Sequence, residues 1–248
     1  MLIWKGVGDL LAEADLLLVS KLPVPGRVKT RLSVEIGAEA AAAVAAALLG
    51  DQLESLGSAG DFRVLCGDGA DSRLFSRWLC DDSIEPLGWQ YRDQGTGDLG
   101  ARLSRCCLDS FERGRAAVAL LGADAPRYPT DQIEQALSRA VSGVATLGPA
   151  GDGGYGLLAL PKSVQSHLRS IFPATGWGTG EVAARVRGEL QRMGVPLQLL
   201  SLRNDIDDGQ DLIDLWKELQ LNRQLAARLS RTAHQLRILR KEGWRGPP

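Results

Sequence analysis

Four stretches of this sequence carry side chains whose types and spacing suit chemistry on phosphates and divalent cations. Residues 21–32 place Lys21, Arg27, Lys29 and Arg31 within eleven positions, with Pro23, Pro25 and Gly26 holding the run open and Thr30 between the last two cations. Phosphates are held by fixed backbone N–H groups and side-chain cations, and the mouth of a strand-loop-helix unit supplies both. A solvated basic loop is the plainer alternative. The run is no Walker loop, because G-x-x-x-x-G-K-[ST] is absent. In residues 122–126 an aliphatic run leads straight into Asp124, and Pro126 stops the chain. A carboxylate there can hold Mg²⁺ or Mn²⁺ against a diphosphate through oxygen. The alternative is a turn or helix-cap aspartate, but Thr130 is the better placed cap. Residues 148–155 hold four glycines in their first seven positions, with Asp152 in the loop and Tyr155 after it. Such a loop lets backbone approach a ligand closely, and Tyr155 can pack on or bond a sugar or base; a glycine-rich hairpin is the alternative. Residues 205–211 hold Asp205, Asp207, Asp208 and Asp211. Alternation points Asp205 and Asp207 to one side, so either can supply a second metal oxygen, while Asp208 or Gly209 can open the final helix.

Other chemistries are disfavoured. Only His167 and His234 are present and no G-x-S-x-G occurs, which argues against His-based zinc sites and Ser-His-Asp hydrolysis. Cys66, Cys80, Cys106 and Cys107 form no C-x-x-C and are expected as buried reduced thiols. Gly95, Gly97 and Gly100 spell G-x-G-x-x-G, and Asp124 follows 24 residues later, which imitates a dinucleotide-binding fingerprint. The preceding residues 87–94 are polar and make a poor buried strand, so the fingerprint reads as fortuitous.

These loops need a scaffold. The chain of 248 residues has 44% hydrophobic and 24% charged residues and a net charge of −1, an ordinary globular composition that excludes a bulk-basic nucleic-acid coat protein. Aromatics at 5% weaken any base-stacking platform. The longest aliphatic run near the start covers residues 16–19, far short of the roughly 18 needed to cross a bilayer, and no signal peptide is visible. The cytoplasm is the expected compartment, and no membrane span is expected. Strand signals at residues 15–20, 63–66, 116–122, 143–147, 155–160 and 197–202 alternate with helical stretches at 38–56, 73–79, 99–113, 131–141 and 181–193. The alternation argues for an α/β fold, a mainly parallel sheet with helices on both faces.

The end of the chain differs. Residues 221–248 contain six Arg and one Lys against one Glu, a local charge of +6, leaving −7 for residues 1–220. Leu221, Leu225, Leu229, Leu236 and Leu239 fall near one helical face. This predicts a main domain at 1–220 and a basic C-terminal helix and tail at 221–248. The helix is expected to pack on its own body or across a homodimer interface, with its arginines in water. A membrane-surface or specific nucleic-acid contact is the sharper alternative and is not expected.

Taken in order, the motifs resemble a known family, the bacterial GT-A-like transferases of the arsenosugar-biosynthesis and radical-SAM/selenodomain-associated type. The family pattern runs K-x-P-x-P-G-x-V-K-T-R-L, Q-G-x-G-D-L-G-x-R, G-x-D-x-P, G-P-A-x-D-G-G-Y, W-x-T and D-x-D-x-x-x-D-L. This chain carries it at residues 21–32, 94–102, 122–126, 148–155, 177–179 and 205–212, so the resemblance spans roughly 14–215. It implies a nucleotide-diphospho-sugar transferase (GT-A-like) fold and kinship with guanylyltransferases of molybdenum-cofactor and phospholactate metabolism. By position it implies that Lys21, Gly26, Lys29, Thr30, Arg31 and Gly97 bind the nucleotide. Asp124 and Asp207 would hold the metal, Asp124 and Asp152 would be catalytic, and Tyr155, Trp177 and Thr179 would shape the acceptor side. The chain departs from the pattern at Ala125, Gly156 and Gly178. The function implied is a metal-dependent glycosyltransferase using a nucleoside diphosphate sugar and a small-molecule acceptor. The alternatives are a nucleotidyltransferase releasing pyrophosphate from a nucleoside triphosphate, and a non-catalytic nucleotide-binding regulator.

Overall fold

Residues 16–19 are consecutive aliphatics, and they form the heart of β1 (Ala14–Lys21), a strand buried along most of its length. In the computed structural model, which describes residues 13–57, 59, 62–68, 72–81, 88–177 and 180–246, six further strands flank it. They are β2 (Phe62–Asp68), β3 (Trp89–Asp93), β4 (Ala117–Gly122), β5 (Ala145–Pro149), β6 (Tyr155–Pro161) and β7 (Leu197–Leu199). The sheet order is β3-β2-β1-β4-β6-β5-β7. Only β6 runs antiparallel, against β4 and β5; the other pairings are parallel. The loops after β1, β4 and β5 therefore leave the same end of the sheet, the end where open α/β sheets bind ligands.

Period-two alternation splits the core into two layers. Leu16 and Leu18 pack with Leu65, Leu121 and the helices Ala38–Ser55, Ser72–Asp81 and Thr130–Val141. Leu17, Val64, Leu120 and Leu158 pack on the opposite face with the helices Leu99–Glu112 and Val182–Arg192. The mixed α/β class with helices on both faces is as expected from the alternation.

Several expectations are corrected. Residues 89–93, within the stretch expected to make a poor buried strand, form a strand all the same, β3, but a part-exposed one at the sheet edge, where one row of backbone groups needs no neighbour and polar side chains are tolerated. Its inward ring Tyr91 lies 5.1 Å from Phe75. The glycine fingerprint does follow a strand and precede a helix, but that unit ends on β4, separated from β3 by β2 and β1. A dinucleotide fingerprint needs adjacent parallel strands, so the geometry it requires is absent. The basic run passes from loop into helix within its length, at Thr30–Ile36, as a strand-loop-helix unit requires. Thr130 does not cap its helix; Pro129 takes the N-cap position and the Thr130 hydroxyl donates to Ser55 O at 3.4 Å. Cys66, Cys106 and Cys107 are buried and free, but Cys80 is exposed.

The C-terminal segment is not one helix. The helix Gly209–Leu221 is followed by Arg223–Arg228 and Ser230–Lys241. Leu221 is 88% exposed and stands outside the expected stripe, whereas Leu229, Leu236 and Leu239 are buried. They share a third cluster with Leu32, Val44, Leu48, Leu212 and Leu215. The alanines of Ala38–Ser55 allow this close approach, with Ala41 fully buried under the added helices. Asp51, itself buried, caps the last helix from outside by accepting from Arg231 N at 2.9 Å and Thr232 N at 2.8 Å. Among the described residues no helix is long and apolar enough to cross a membrane.

Candidate active site

The loop after β1 folds back through a turn, with Arg27 N donating to Val24 O at 3.0 Å. Val28 and Leu32 are buried and pin its far end to the core. Between them Lys29 takes a left-handed backbone, φ 46° and ψ 46°, the only described non-glycine residue with positive φ. That conformation costs an L-residue roughly 1–2 kcal/mol. It turns the side chain inward, where it is 8% exposed and its ammonium lies 3.3 Å from Asp124 Oδ2 and 3.1 Å from Asp207 Oδ1. Burial pulls the Lys29 ammonium down, but Asp124 and Asp207 outweigh it and hold it above its ordinary value.

Asp124 stands two residues beyond β4, and its carbonyl accepts from Ile206 N at 2.9 Å. That bond ties the β4 loop to the acidic run before the helix Gly209–Leu221. Asp211 accepts from Asp207 N and Asp208 N at 3.0 and 3.2 Å, while Asp208 closes a capping box at the same helix start. Glu35 accepts from Gly209 N at 3.0 Å and joins the basic segment to the acidic one. The backbone bonds thus fix Asp207, and Asp208 is a helix cap.

Asp124, Asp205 and Asp207 each offer an oxygen, all within 4.8 Å of one another. An all-oxygen set of part-exposed carboxylates fits Mg²⁺ or Mn²⁺, which take hard oxygen ligands and retain waters. Asp205 was legible only as an alternative to Asp207; the two stand together, as alternation along the chain requires. Burial first, and then Asp124, Asp207 and Asp152, push the Asp205 carboxyl up to about 7, against partial relief from Lys29. Asp152, at the tip of the β5–β6 hairpin, is exposed and accepts from Gly154 N at 2.8 Å.

An acid whose pKa is higher folded than unfolded weakens the fold at all pH values above its unfolded one, because the folded protein loses a proton it holds better. For Asp205 that cost is absent near pH 4, grows toward about pH 7 and is complete above it. Asp205→Asn should therefore melt like the wild type near pH 4 and at a higher temperature at about pH 8 without metal. A gain on the order of 1 kcal/mol is expected once screening of this part-exposed group is allowed for. Thermal melts at the two pH values check this, and equal shifts at both would refute the repulsion.

A cleft of about 520 Å³ opens over these groups. Lys21, Arg27, Lys29, Thr30, Arg31, Asp124 and Asp207 line it, and so do Gln94 and Arg102, to which the reading of the residues gave no role. Gln94 is buried and its amide donates to Cys66 O at 2.8 Å. Arg102 pairs with Asp68, also at the cleft. Gln94 and Arg102 end the Q-G-x-G-D-L-G-x-R run, which was the available signal for them.

The remaining expected positions stand off the cleft wall. Gly26 and Gly97 have φ of 75° and 112° and serve turns. At Gly153, φ 80°, an added Cβ would lie 2.0 Å from Gly180 O, so the hairpin closes on the 180 segment only because no side chain is there. Tyr155 and Trp177 pack edge-to-face with centroids 6.3 Å apart. The Trp177 indole donates to Pro173 O at 2.8 Å, whereas the Tyr155 hydroxyl is buried without a partner among the described residues. Burial, with Cys107 nearby, holds that phenol well above its ordinary value. Thr179 and Gly178 lie outside the described residues. Gly156 is explained by packing: a Cβ there would meet Ala125 Cβ at 2.7 Å and the Tyr128 ring at 2.9 Å.

The family described as "Uncharacterized protein conserved in bacteria (DUF2064)" matches residues 53–179. No curated protein is similar to the chain at a significant level. Among solved structures, a "putative nucleotide-diphospho-sugar transferase" from Desulfovibrio desulfuricans G20 is similar at 27% identity and a TM-score of 0.81, over 93% of this chain and 96% of that one. A 4-diphosphocytidyl-2C-methyl-D-erythritol synthase from Anaerococcus prevotii DSM 20548 is similar at 11% identity and TM-score 0.55, over 85% of this chain and 99% of that one. A CMP:2-keto-3-deoxy-manno-octonic acid synthetase complexed with CTP is similar at 10% identity and TM-score 0.51, over 82% and 96%. The last two share the fold.

Proposed function

We propose that this chain, which belongs to the DUF2064 family, is a metal-dependent glycosyltransferase that uses a nucleoside diphosphate sugar. The observation that carries the reading is the meeting, in one cleft at the carboxyl end of the sheet, of the cationic 21–31 segment with Asp124 and Asp207. The similarity to the Desulfovibrio protein, over 93% of the chain, supports it. The finer identification, a transferase of the arsenosugar-biosynthesis type, rests on the ordered motifs and belongs to the same proposal.

In this reading Asp124, Asp205 and Asp207 would hold Mg²⁺ or Mn²⁺, which when bound supplies charge stabilisation to a diphosphate leaving group. Lys21, Arg27 and Arg31 bind and orient the phosphates, the largest charge that develops as the donor bond breaks. Asp152, on the β5–β6 hairpin, is assigned in this reading as the catalytic carboxylate that takes the proton of an acceptor hydroxyl. Gly26 and Gly97 shape the turns beside the phosphates, Tyr155 and Trp177 bound the acceptor side, and the ordered motifs assign Thr179 to that side as well. Residues 1–220 form the transferase unit in this proposal and 221–248 its basic C-terminal addition.

Five cations line the cleft, Lys21, Arg27, Lys29, Arg31 and Arg102. They exceed what a diphosphate alone requires, which favours keeping nucleotidyl transfer from a nucleoside triphosphate as a second reading. Incubation with Mn²⁺ and a panel of nucleotide sugars or nucleoside triphosphates separates the two: released nucleoside diphosphate supports the first, and released pyrophosphate the second. Tight nucleotide binding with neither product would favour a non-catalytic regulator.

Arg31→Ala should weaken nucleoside diphosphates by about tenfold and nucleosides hardly at all, because its charge-assisted bond goes to phosphate. Isothermal calorimetry checks the difference; equal losses for both ligands would assign Arg31 to the fold instead.

A further inference from the structure

Two cations are asked to serve the same carboxylates. The Lys29 ammonium lies 3.3 Å from Asp124 and 3.1 Å from Asp207, and those two oxygens belong to the triad whose ligand atoms stand within 4.8 Å. A divalent ion at 2.0–2.2 Å from both oxygens would sit in the space the ammonium fills, and two cations cannot share it. Lys29 is held there by a left-handed backbone, and its side chain is 8% exposed. It is also flanked on one side by Arg27 and on the other by Arg31, and all three line the cleft. An ammonium that left the carboxylates would remain among groups suited to phosphate.

We propose that Lys29 is an internal counter-cation that closes the metal site of the free protein and transfers to the substrate phosphates when these arrive, so that metal and phosphates enter together. This inference rests on the function proposed above and specifies its order of binding. It makes Lys29 a positioning residue for the metal as well as a phosphate ligand. Asp205, which makes no ion pair with Lys29, keeps one oxygen facing the triad throughout. The transfer needs no movement of the sheet: β1 and β4 fix both loop origins in register, and the lysine stem supplies the reach.

The test is Mn²⁺ binding by the full chain, measured by calorimetry with and without inorganic pyrophosphate. Wild type is expected to bind Mn²⁺ alone weakly. Lys29→Met is expected to bind Mn²⁺ alone at least tenfold more tightly than wild type, because the competing cation is gone, and to bind pyrophosphate at least tenfold more weakly. Lys29→Met that binds Mn²⁺ alone no better than wild type overturns the inference. Because the substitution leaves two carboxylates without their partner, wild type is also probed with an amine-acylating ester and mass spectrometry. Acylation of Lys29 should rise severalfold at an Mn²⁺ concentration that calorimetry shows to saturate the wild type, and fall again with pyrophosphate; labelling unmoved by saturating Mn²⁺ overturns the inference even if the variant fails to fold. If wild type and Asp124→Asn bind Mn²⁺ with pyrophosphate equally, it is the proposed function that fails.

Discussion

Asp124→Asn is expected to fold like the wild type and to lose transferase turnover by on the order of 10³-fold, the scale seen when one charge-stabilising group is removed from a preorganised site. Asparagine keeps the shape and removes the charge. The Asp124 side chain is 41% exposed, so its own loss of charge uncovers nothing, although its partner Lys29 is buried. Its backbone bond to Ile206, which joins the two acidic segments, is untouched by the substitution. Lys29 retains Asp207 as a partner at 3.1 Å. The melting temperature should therefore change little while metal-dependent nucleotide affinity collapses. Calorimetry with Mn²⁺ and a nucleoside diphosphate reads the outcome, and unchanged metal-dependent affinity would remove Asp124 from the site.

Truncation after Gln220 is expected to have the largest effect on the fold. It removes Leu229, Leu236 and Leu239, all at most 3% exposed, and uncovers Val44 and Leu48 on the helix Ala38–Ser55. Each buried leucine contributes about 1.5–3 kcal/mol, and a domain is stable by only about 5–15 kcal/mol. The truncation also removes Arg228, whose guanidinium donates to Pro126 O at 2.6 Å and Tyr128 O at 2.9 Å, just beyond Asp124. The truncated protein should aggregate or melt far below the full chain. The milder Leu236→Ala should cost about 2–5 kcal/mol. A truncated protein that stays monodisperse and equally stable by light scattering and thermal melting would make the segment a dispensable arm.

What could be read in the sequence follows from what reports locally. β1 and β4 are aliphatic runs buried by both layers, and a run of that kind announces itself. β3 does not, because an edge strand carries Gln90 and Asp93 outward and resembles a loop. Asp124 was legible because a strand delivers it to the ligand end of the sheet. The juxtaposition of Lys29 with Asp124 and Asp207 was not, because those partners are 95 and 178 positions away. Asp51 reads as an ordinary polar residue in an alanine-rich helix, and nothing nearby hints that it caps a helix far along the chain. The leucine stripe marked residues 229–239 for burial, but the break at Leu229 and the exposure of Leu221 depend on the shape of the surface they meet.

The Asp51 cap also bears on how the chain is born. Its partner Thr232 lies 181 residues downstream. At roughly 5–20 residues per second, ribosomal synthesis leaves the leucine-bearing face of Ala38–Ser55 without its final cover for about 10–40 s. During that interval the nascent polypeptide shows an apolar groove and an unsatisfied buried-to-be acid to whatever is nearby. A chaperone that holds such surfaces would engage the chain early and release it only once the last helix has emerged. Slow codons between the two segments would lengthen the exposure and lower the yield of folded protein without altering a single contact in it.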